Sequence, residues 1–456
     1  MSAVLSAESP ALAGISRKVE SGQRLTFDDG VALFRSRDIH EIGRLANLVR
    51  ERLHGNVAYY NVNRHINYTN YCVLRCKFCS FYRPYEKAEG TRGKSESRKP
   101  KVESRNTGHK NLGDEPASPA RENDVIPLPL LNAGSLAAPN AHDAAAHAGG
   151  ADAYERSIDE IVDMARQAGE AGATEVHIVG GLHPTLPFEY YVDMCAEIRR
   201  ACPDIHIKAF TAIEIIHFTR ISRPRMTIRQ VLERLRNAGL GSLPGGGAEI
   251  FDDRVHDEAY RNKVGEQGWF DVHREAHQMG MFTNATMLYG HVEGPEERVR
   301  HLIKLRAHQD ESLRSRAAHF NCCIPLSFVP QGSALSHLPG PTGLDDLKTL
   351  AISRLMLDNV PHIKAFWIMQ SAKLAQVAQS WGCDDMDGTV VWYDIIKREG
   401  GAGSTHQELT VDRMRRLIRE AGRDPVERDT LYRQVVRDQN GRVLAAARST
   451  GAAGLE

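Results

Sequence analysis

The chain has 456 residues, with 58 Lys plus Arg against 58 Asp plus Glu and an apolar fraction of 41%. That balance sets up no net field toward nucleic acid or an acidic membrane surface, and no apolar run approaches the ~18 residues that would cross a bilayer. The length admits one large barrel with extensions or two domains.

Residues 1–10 lack the basic start and apolar core of a signal peptide, so a cytoplasmic protein is expected. Residues 1–56 read as a helical lead-in. From there, short strand-like runs alternate with amphipathic helices. Strands are expected at 58–63, 175–181, 205–210, 241–247, 281–289, 319–328, 363–369 and 388–393. Ser157-Ile-Asp-Glu160 and Thr227-Ile-Arg-Gln230 are capping boxes that open two of the intervening helices. Strands alternating with helices imply parallel βα units, and eight of them imply an α/β fold, a closed (β/α)8 TIM-type barrel over 57–400. A helical extension is expected at 401–435 and a flexible tail at 436–456. Residues 88–153 contain no Phe, Trp, Tyr or Cys, are crowded with Ser, Pro, Ala, Gly, His and charge, and read as a disordered insertion.

Directly after the first strand comes Cys72-Val-Leu-Arg-Cys76-Lys-Phe-Cys79. Four soft thiolates close a zinc or cluster shell, whereas three leave one metal position open. A zinc site would want a fourth ligand nearby, and His65 is the closest upstream histidine. The loop instead runs on into Ser80-Phe81-Tyr82-Arg83, which favours a cluster with a vacant position. Phe78 reads either as a packing residue over that cluster or as a surface for a flat ligand.

Later motifs fall at strand ends, where barrel enzymes carry their sites. Gly180-Gly181-Leu182-His183-Pro184 is either a tight turn or a backbone pressed against a ligand. Pro244-Gly-Gly246-Gly-Ala-Glu249 lacks the Gly-Lys-Ser/Thr ending of a phosphate loop. It offers Glu249 as a carboxylate at the barrel mouth, or as a solvated loop residue. Asn284 and Thr286 alternate with apolar neighbours and are expected to share the lumen, as ligand contacts or as satisfied polar packing. His291 follows on the same segment. Of eight cysteines, Cys322 and Cys323 are adjacent on a strand and face opposite ways, and Cys195 reads as core.

The C-x3-C-x2-C spacing with an aromatic residue before the last cysteine resembles the radical S-adenosylmethionine (SAM) superfamily. The run Arg64-His-Ile-Asn-Tyr-Thr-Asn-Tyr-Cys72, with Lys208-Ala-Phe-Thr-Ala-Ile-Glu214 and Leu243-Pro-Gly-Gly-Gly-Ala-Glu249, resembles its menaquinone and deazaflavin branch. Asp384-Asp-Met-Asp-Gly-Thr-Val390 and Gly422-Arg-Asp-Pro-Val-Glu-Arg-Asp429 are most similar to the aminofutalosine synthases in it. The resemblance implies a [4Fe–4S] cluster on Cys72, Cys76 and Cys79, and SAM as co-substrate against Phe78, Gly180, Gly181, Gly246 and Thr286. It leaves Glu249, Asn284 and His291 as candidate catalytic groups, with Arg83 and His291 as candidates to hold substrate carboxylates. The family's usual Gly-Gly-Glu is broken here by Leu182, so only its backbone contact carries over.

The implied reaction adds the 5′-deoxyadenosyl radical to the enol-ether alkene of 3-[(1-carboxyvinyl)oxy]benzoate, and rearrangement with loss of the enolpyruvyl carboxylate then gives 6-amino-6-deoxyfutalosine for menaquinone biosynthesis. The implied partner is an electron donor such as flavodoxin or ferredoxin, with no nucleic acid and no membrane. The alternatives are the cyclic dehypoxanthine futalosine synthases, the FO-synthase-like enzymes and a non-catalytic iron–sulfur carrier.

Overall fold

In the computed structural model, residues 12–85, 153–315, 317–390, 407–439 and 441–446 are described. The strands are β1 Val57–Asn61, β2 Asn63–Ile66, β3 Glu175–Ile178, β4 His206–Ala209, β5 Leu240–Ser242, β6 Thr283–Tyr289, β7 Phe320–Ser327, β8 His362–Ile363 and β9 Asp385–Gly388. Three more follow, β10 Asp424–Glu427, β11 Val435–Arg437 and β12 Val443–Ala446.

β1 and β2 are one extended run broken at Val62, so its two halves pair differently. β2 pairs in parallel with β3, then β3 with β4 and β4 with β5; β6, β7 and β8 form a second parallel set. Bridges Leu243↔Thr283 and Lys364↔Asp385, with β1 against β9, join these sets around the ring. The result is the eight-stranded TIM-type barrel expected from the alternation of elements. β10 adds a further parallel strand on β1, with Pro425 tolerated because the strand lies at an edge.

Two expected strands move. The last barrel strand is Asp385–Gly388, ahead of the 388–393 run, whose residues from 391 on lie outside the described ones. Its two aspartates and the adjacent Asp384 make an acidic run, yet all three are buried. Arg354 pairs with Asp384 at 2.6 Å, Arg428 with Asp385 at 2.7 Å, and Lys364 with Asp387 at 2.7 Å. Pairing is what makes such burial tolerable. The expected strand 363–369 is only two residues long, followed by the short helix Trp367–Gln370.

The helices Ala13–Glu20, Phe27–Arg35 and Ile39–His54 form the expected N-terminal extension. They are more than a lead-in: Leu33, Ile42, Leu45 and Ala46 are fully buried in the main core. Thr26 and Asp29 close a capping box at the start of the second helix, and Asp38 caps the third. Toward the C-terminus, the expected extension holds the helix Val411–Glu420 and also the strand β10. Within the stretch expected as a tail, β12 pairs antiparallel with β11. Residues 447–456 and all but the last residue of the 88–153 segment lie outside the described residues. Among the described residues, no helix is long and apolar enough to cross a membrane.

The core is unusually rich in buried imidazole. Burial holds His54, His65, His206 and His308 down to about 4 and His301 to about 3. The unfolded chain protonates these groups below about 6.5 while the folded one resists. Their contribution is therefore complete above pH 6.5 and is lost as pH falls toward 4, at up to ~1.4 kcal/mol per pH unit for each histidine. The urea midpoint, measured anaerobically, is expected to drop sharply between pH 7 and pH 5. A flat profile over that window would contradict the buried neutral histidines.

Candidate active site

The loop after β2 carries the three cysteines across the barrel mouth. It is tied down on several sides by backbone bonds. Cys72 N–H donates to Arg83 O at 3.1 Å, Val73 N–H to Leu182 O at 3.2 Å, and Lys77 N–H to Ala259 O at 2.9 Å. Lys77 O accepts from Ala334 N–H at 2.8 Å. Arg75 adopts a left-handed φ of 51°, a conformation uncommon outside glycine, to make the turn between the first two cysteines.

Cys72, Cys76 and Cys79 are free thiols lining one cavity of about 280 Å³. Burial pushes the Cys76 thiol up to about 12 and raises that of Cys79, so neither ionises at neutral pH without a cation. The Cys79 sulfur takes backbone N–H groups from Tyr82 and Phe81, the pattern that steadies a cluster thiolate. Among the described residues, the set of ligating atoms converging within 4.8 Å is His54, His362 and Asp384, not the cysteines. The three thiols are soft donors carried on one loop and facing one cavity. These donors fit a [4Fe–4S] cluster with one iron left for another ligand.

The glycine motif after β3 is explained by crowding. A Cβ on Gly181 would lie 2.1 Å from Tyr71 O and 3.0 Å from Cys72 Cβ; one on Gly180 would lie 2.6 Å from the Tyr68 ring. The cysteine loop itself, packed onto this turn, demands the two glycines. Glu214 completes the corner. It is N3 of the helix Ala212–Ile221, where it forms a capping box with Thr211, and it also accepts Tyr68 Oη–H at 2.6 Å and Gly180 N–H at 3.2 Å. Burial raises its pKa, against the four donors that lower it. A carboxylate therefore meets the glycine turn from a different strand end, although Leu182 breaks the usual motif. The capping box in the sequence was its signal.

The mouth's other side is built by the Gly245–Gly247 turn, with β6 close behind it: a Cβ on Gly245 would meet Asn284 O at 2.6 Å. Gly246, Asn284 and Thr286 line the cavity, and Thr286 Oγ1 donates to Gly245 O at 2.7 Å. Asn284 and Thr286 thus share the lumen as their alternation implied. Glu249 also lines the cavity, in a left-handed backbone conformation, but is not a solvated loop residue. Its carboxylate is paired with Lys263. Lys263, which sequence reasoning missed, lies 5.1 Å over the Phe78 ring and interacts with Cys76 and Cys79. It is 14 residues from Glu249 with no spacing signal to connect them.

Two candidates fall away from the cavity. The His291 side chain is fully buried beside Glu293 at 3.4 Å, and its Nε2 faces Leu288 O at 3.1 Å. It braces the turn after β6 and is not among the cavity-lining residues. Arg83 directs its guanidinium at loop carbonyls, Tyr82 O at 2.9 Å and Ser80 O at 3.1 Å, and is likewise absent from the lining. Both were assigned to substrate carboxylates by position near the mouth; local backbone acceptors claim them instead.

Residues 139–305 match the family model described as the radical SAM superfamily, and 317–440 match the CofH/MqnC C-terminal region. Over 430 residues the chain is 38% identical to an aminodeoxyfutalosine synthase of Thermus thermophilus, covering 93% of this chain and 96% of that one. A second aminodeoxyfutalosine synthase, from Streptomyces coelicolor, is also 38% identical and covers 94% of each chain. Among solved structures, methylornithine synthase superposes with a TM-score of 0.59 at 15% identity, covering 90% of this chain and 97% of that one. This last likeness supports the barrel alone.

Proposed function

The chain belongs to the aminodeoxyfutalosine synthase family of the radical SAM superfamily, and on that footing we propose that it joins adenosyl carbon to 3-[(1-carboxyvinyl)oxy]benzoate, with rearrangement and loss of the enolpyruvyl carboxylate, to form 6-amino-6-deoxyfutalosine. The observation that carries the reading is 38% identity to two such synthases along more than nine-tenths of the chain. The three-cysteine loop at the mouth of a closed barrel agrees with it.

When bound, the [4Fe–4S] cluster and SAM supply the 5′-deoxyadenosyl radical. Cys72, Cys76 and Cys79 would hold the cluster, and Phe78, Gly180, Gly181, Gly246 and Thr286, which line the same cavity, would meet SAM. Glu249 and Lys263 together keep a compensated charge pair at that end. The protein's further task is to hold the alkene against the adenosyl carbon and to exclude water and hydrogen donors. The wall of Ile324, Leu326, Phe328, Phe366 and Met369 suits an aromatic ring in that role. Asn284 lines the cavity on β6, next to the β7 strand of that wall, and would orient the substrate or the adenosine from there. The site works in a reducing cytoplasm with a flavodoxin- or ferredoxin-type donor.

Reconstituted protein given SAM, reductant and 3-[(1-carboxyvinyl)oxy]benzoate is expected to build adenosine into product, with methionine released and little free 5′-deoxyadenosine. With dehypoxanthine futalosine in place of that substrate, no cyclised product is expected. Product from the second substrate, with 5′-deoxyadenosine in matching amount, would reassign the chain to the cyclase reaction.

A further inference from the structure

Barrel interiors are normally filled by layers of branched apolar side chains. Below the cysteine loop this one is charged. Strand register places His65, His177 and Lys208 at one level on β2, β3 and β4. Lys364, just past β8, and Asp387 on β9 reach the same cavity. Lys208 is 4% and Lys364 2% exposed. Lys208 Nζ pairs with Glu175 at 2.6 Å and Lys364 Nζ with Asp387 at 2.7 Å, while Arg428 holds Asp385 beside them.

An ammonium has three donors. Among the described residues, Lys364 has one hydrogen-bonded partner, Asp387, and Lys208 has one ion-paired carboxylate, Glu175. Their remaining N–H groups belong to residues that line the cavity, where an unmet buried donor costs free energy until an acceptor arrives. Two such ammonium groups converging on the inner end of a cavity with an apolar wall make a receptor for an anion attached to a ring.

We propose that this floor is the subsite for the ring carboxylate of the aromatic substrate, with Lys208 and Lys364 donating to its oxygens. The assignment rests on the function proposed above. In 3-[(1-carboxyvinyl)oxy]benzoate the alkene has to meet the adenosyl carbon at the cysteine-loop end. The ring carboxylate, meta to the ether oxygen, then points away from it, down the barrel toward the two lysines. The ring between them lies along the wall of Ile324, Leu326 and Phe366. The floor thereby fixes how far the alkene protrudes toward the radical, so it sets both affinity and position.

The test uses the anaerobically reconstituted holoenzyme, wild type and the double variant Lys364→Met/Asp387→Asn. That variant removes both partners of one pair and leaves no orphaned charge. Lys208→Gln provides a second, independent variant. Binding of 3-methoxybenzoate and of neutral 3-methoxybenzamide is measured by calorimetry, and turnover with the full substrate is measured alongside. Wild type is expected to prefer the carboxylate over the amide by about 10- to 100-fold, the range for charge-assisted hydrogen bonds. Each variant is expected to lose most of that preference and to raise KM for the full substrate, with KM for SAM unchanged. A variant that retains the whole carboxylate preference would overturn the subsite, as would a wild type with no preference. Failure of the wild type to turn over the full substrate while still preferring the carboxylate would instead overturn the proposed reaction and leave the anion subsite standing.

Discussion

Cys76→Ala is expected to abolish product formation, with turnover reduced by more than about 1,000-fold, while the barrel stays folded. Only a ligand is removed: the side chain is small, and the loop is fixed by backbone bonds at Cys72, Val73 and Lys77 that the substitution leaves intact. Two thiolates cannot hold the cluster in place of three. Iron content and the visible charge-transfer absorbance should fall together with SAM cleavage. Cys383→Ala is the matched control, because Cys383 is also buried but lies outside the cavity lining. It should keep its cluster. A Cys76→Ala protein with full iron and unchanged absorbance would show that the ligand set is wrong.

What could be read in the sequence depended on how far apart the cooperating residues lie along the chain. The cysteine loop spans eight residues, and Asn284 and Thr286 share one strand face, so spacing and period-2 alternation located them. Gly180 and Gly181 were found for an incomplete reason. The close approach was legible as a glycine pair, but not that Tyr68 and Tyr71 occupy the space. Glu214 stood in the sequence only as the end of the Lys208–Glu214 motif, because its reach to Gly180 crosses from one strand end to another.

The misplaced last strand has the same origin. Three acidic positions within four residues do not look like a buried strand until Arg354, Lys364 and Arg428 are brought against them. Composition within a window cannot register neutralisation by residues dozens of positions away. His291 errs in the other direction. Its place in the chain, just beyond a lumen strand, pointed to the site, but Glu293 two residues on and Leu288 O three residues back fold it into its own turn.

Lys263 carries the second large expectation. It is buried with Glu249, lies over Phe78 and interacts with two of the three cysteines, so it places a positive charge beside the cluster loop. Lys263→Met leaves Glu249 buried without its cation, and breaking such a pair from one side costs about 3–5 kcal/mol. The single variant should therefore unfold at markedly lower urea. Lys263→Met/Glu249→Gln removes both charges and should recover most of that stability. It should not recover function. The cluster loop then lacks the nearby cation that favours its more negative, reduced state; loss of the Glu249 charge opposes this, but Lys263 acts on Cys76 more strongly than Glu249 does, so the midpoint potential should still move to lower values. SAM cleavage should fall at a fixed reductant potential and return in part with a stronger reductant. A double variant with wild-type midpoint potential and wild-type SAM cleavage would reduce the pair to a structural brace. A double variant that is stable yet hard to reduce would instead separate the two roles: Glu249 keeps Lys263 buried at tolerable cost, and Lys263 keeps the cluster reducible.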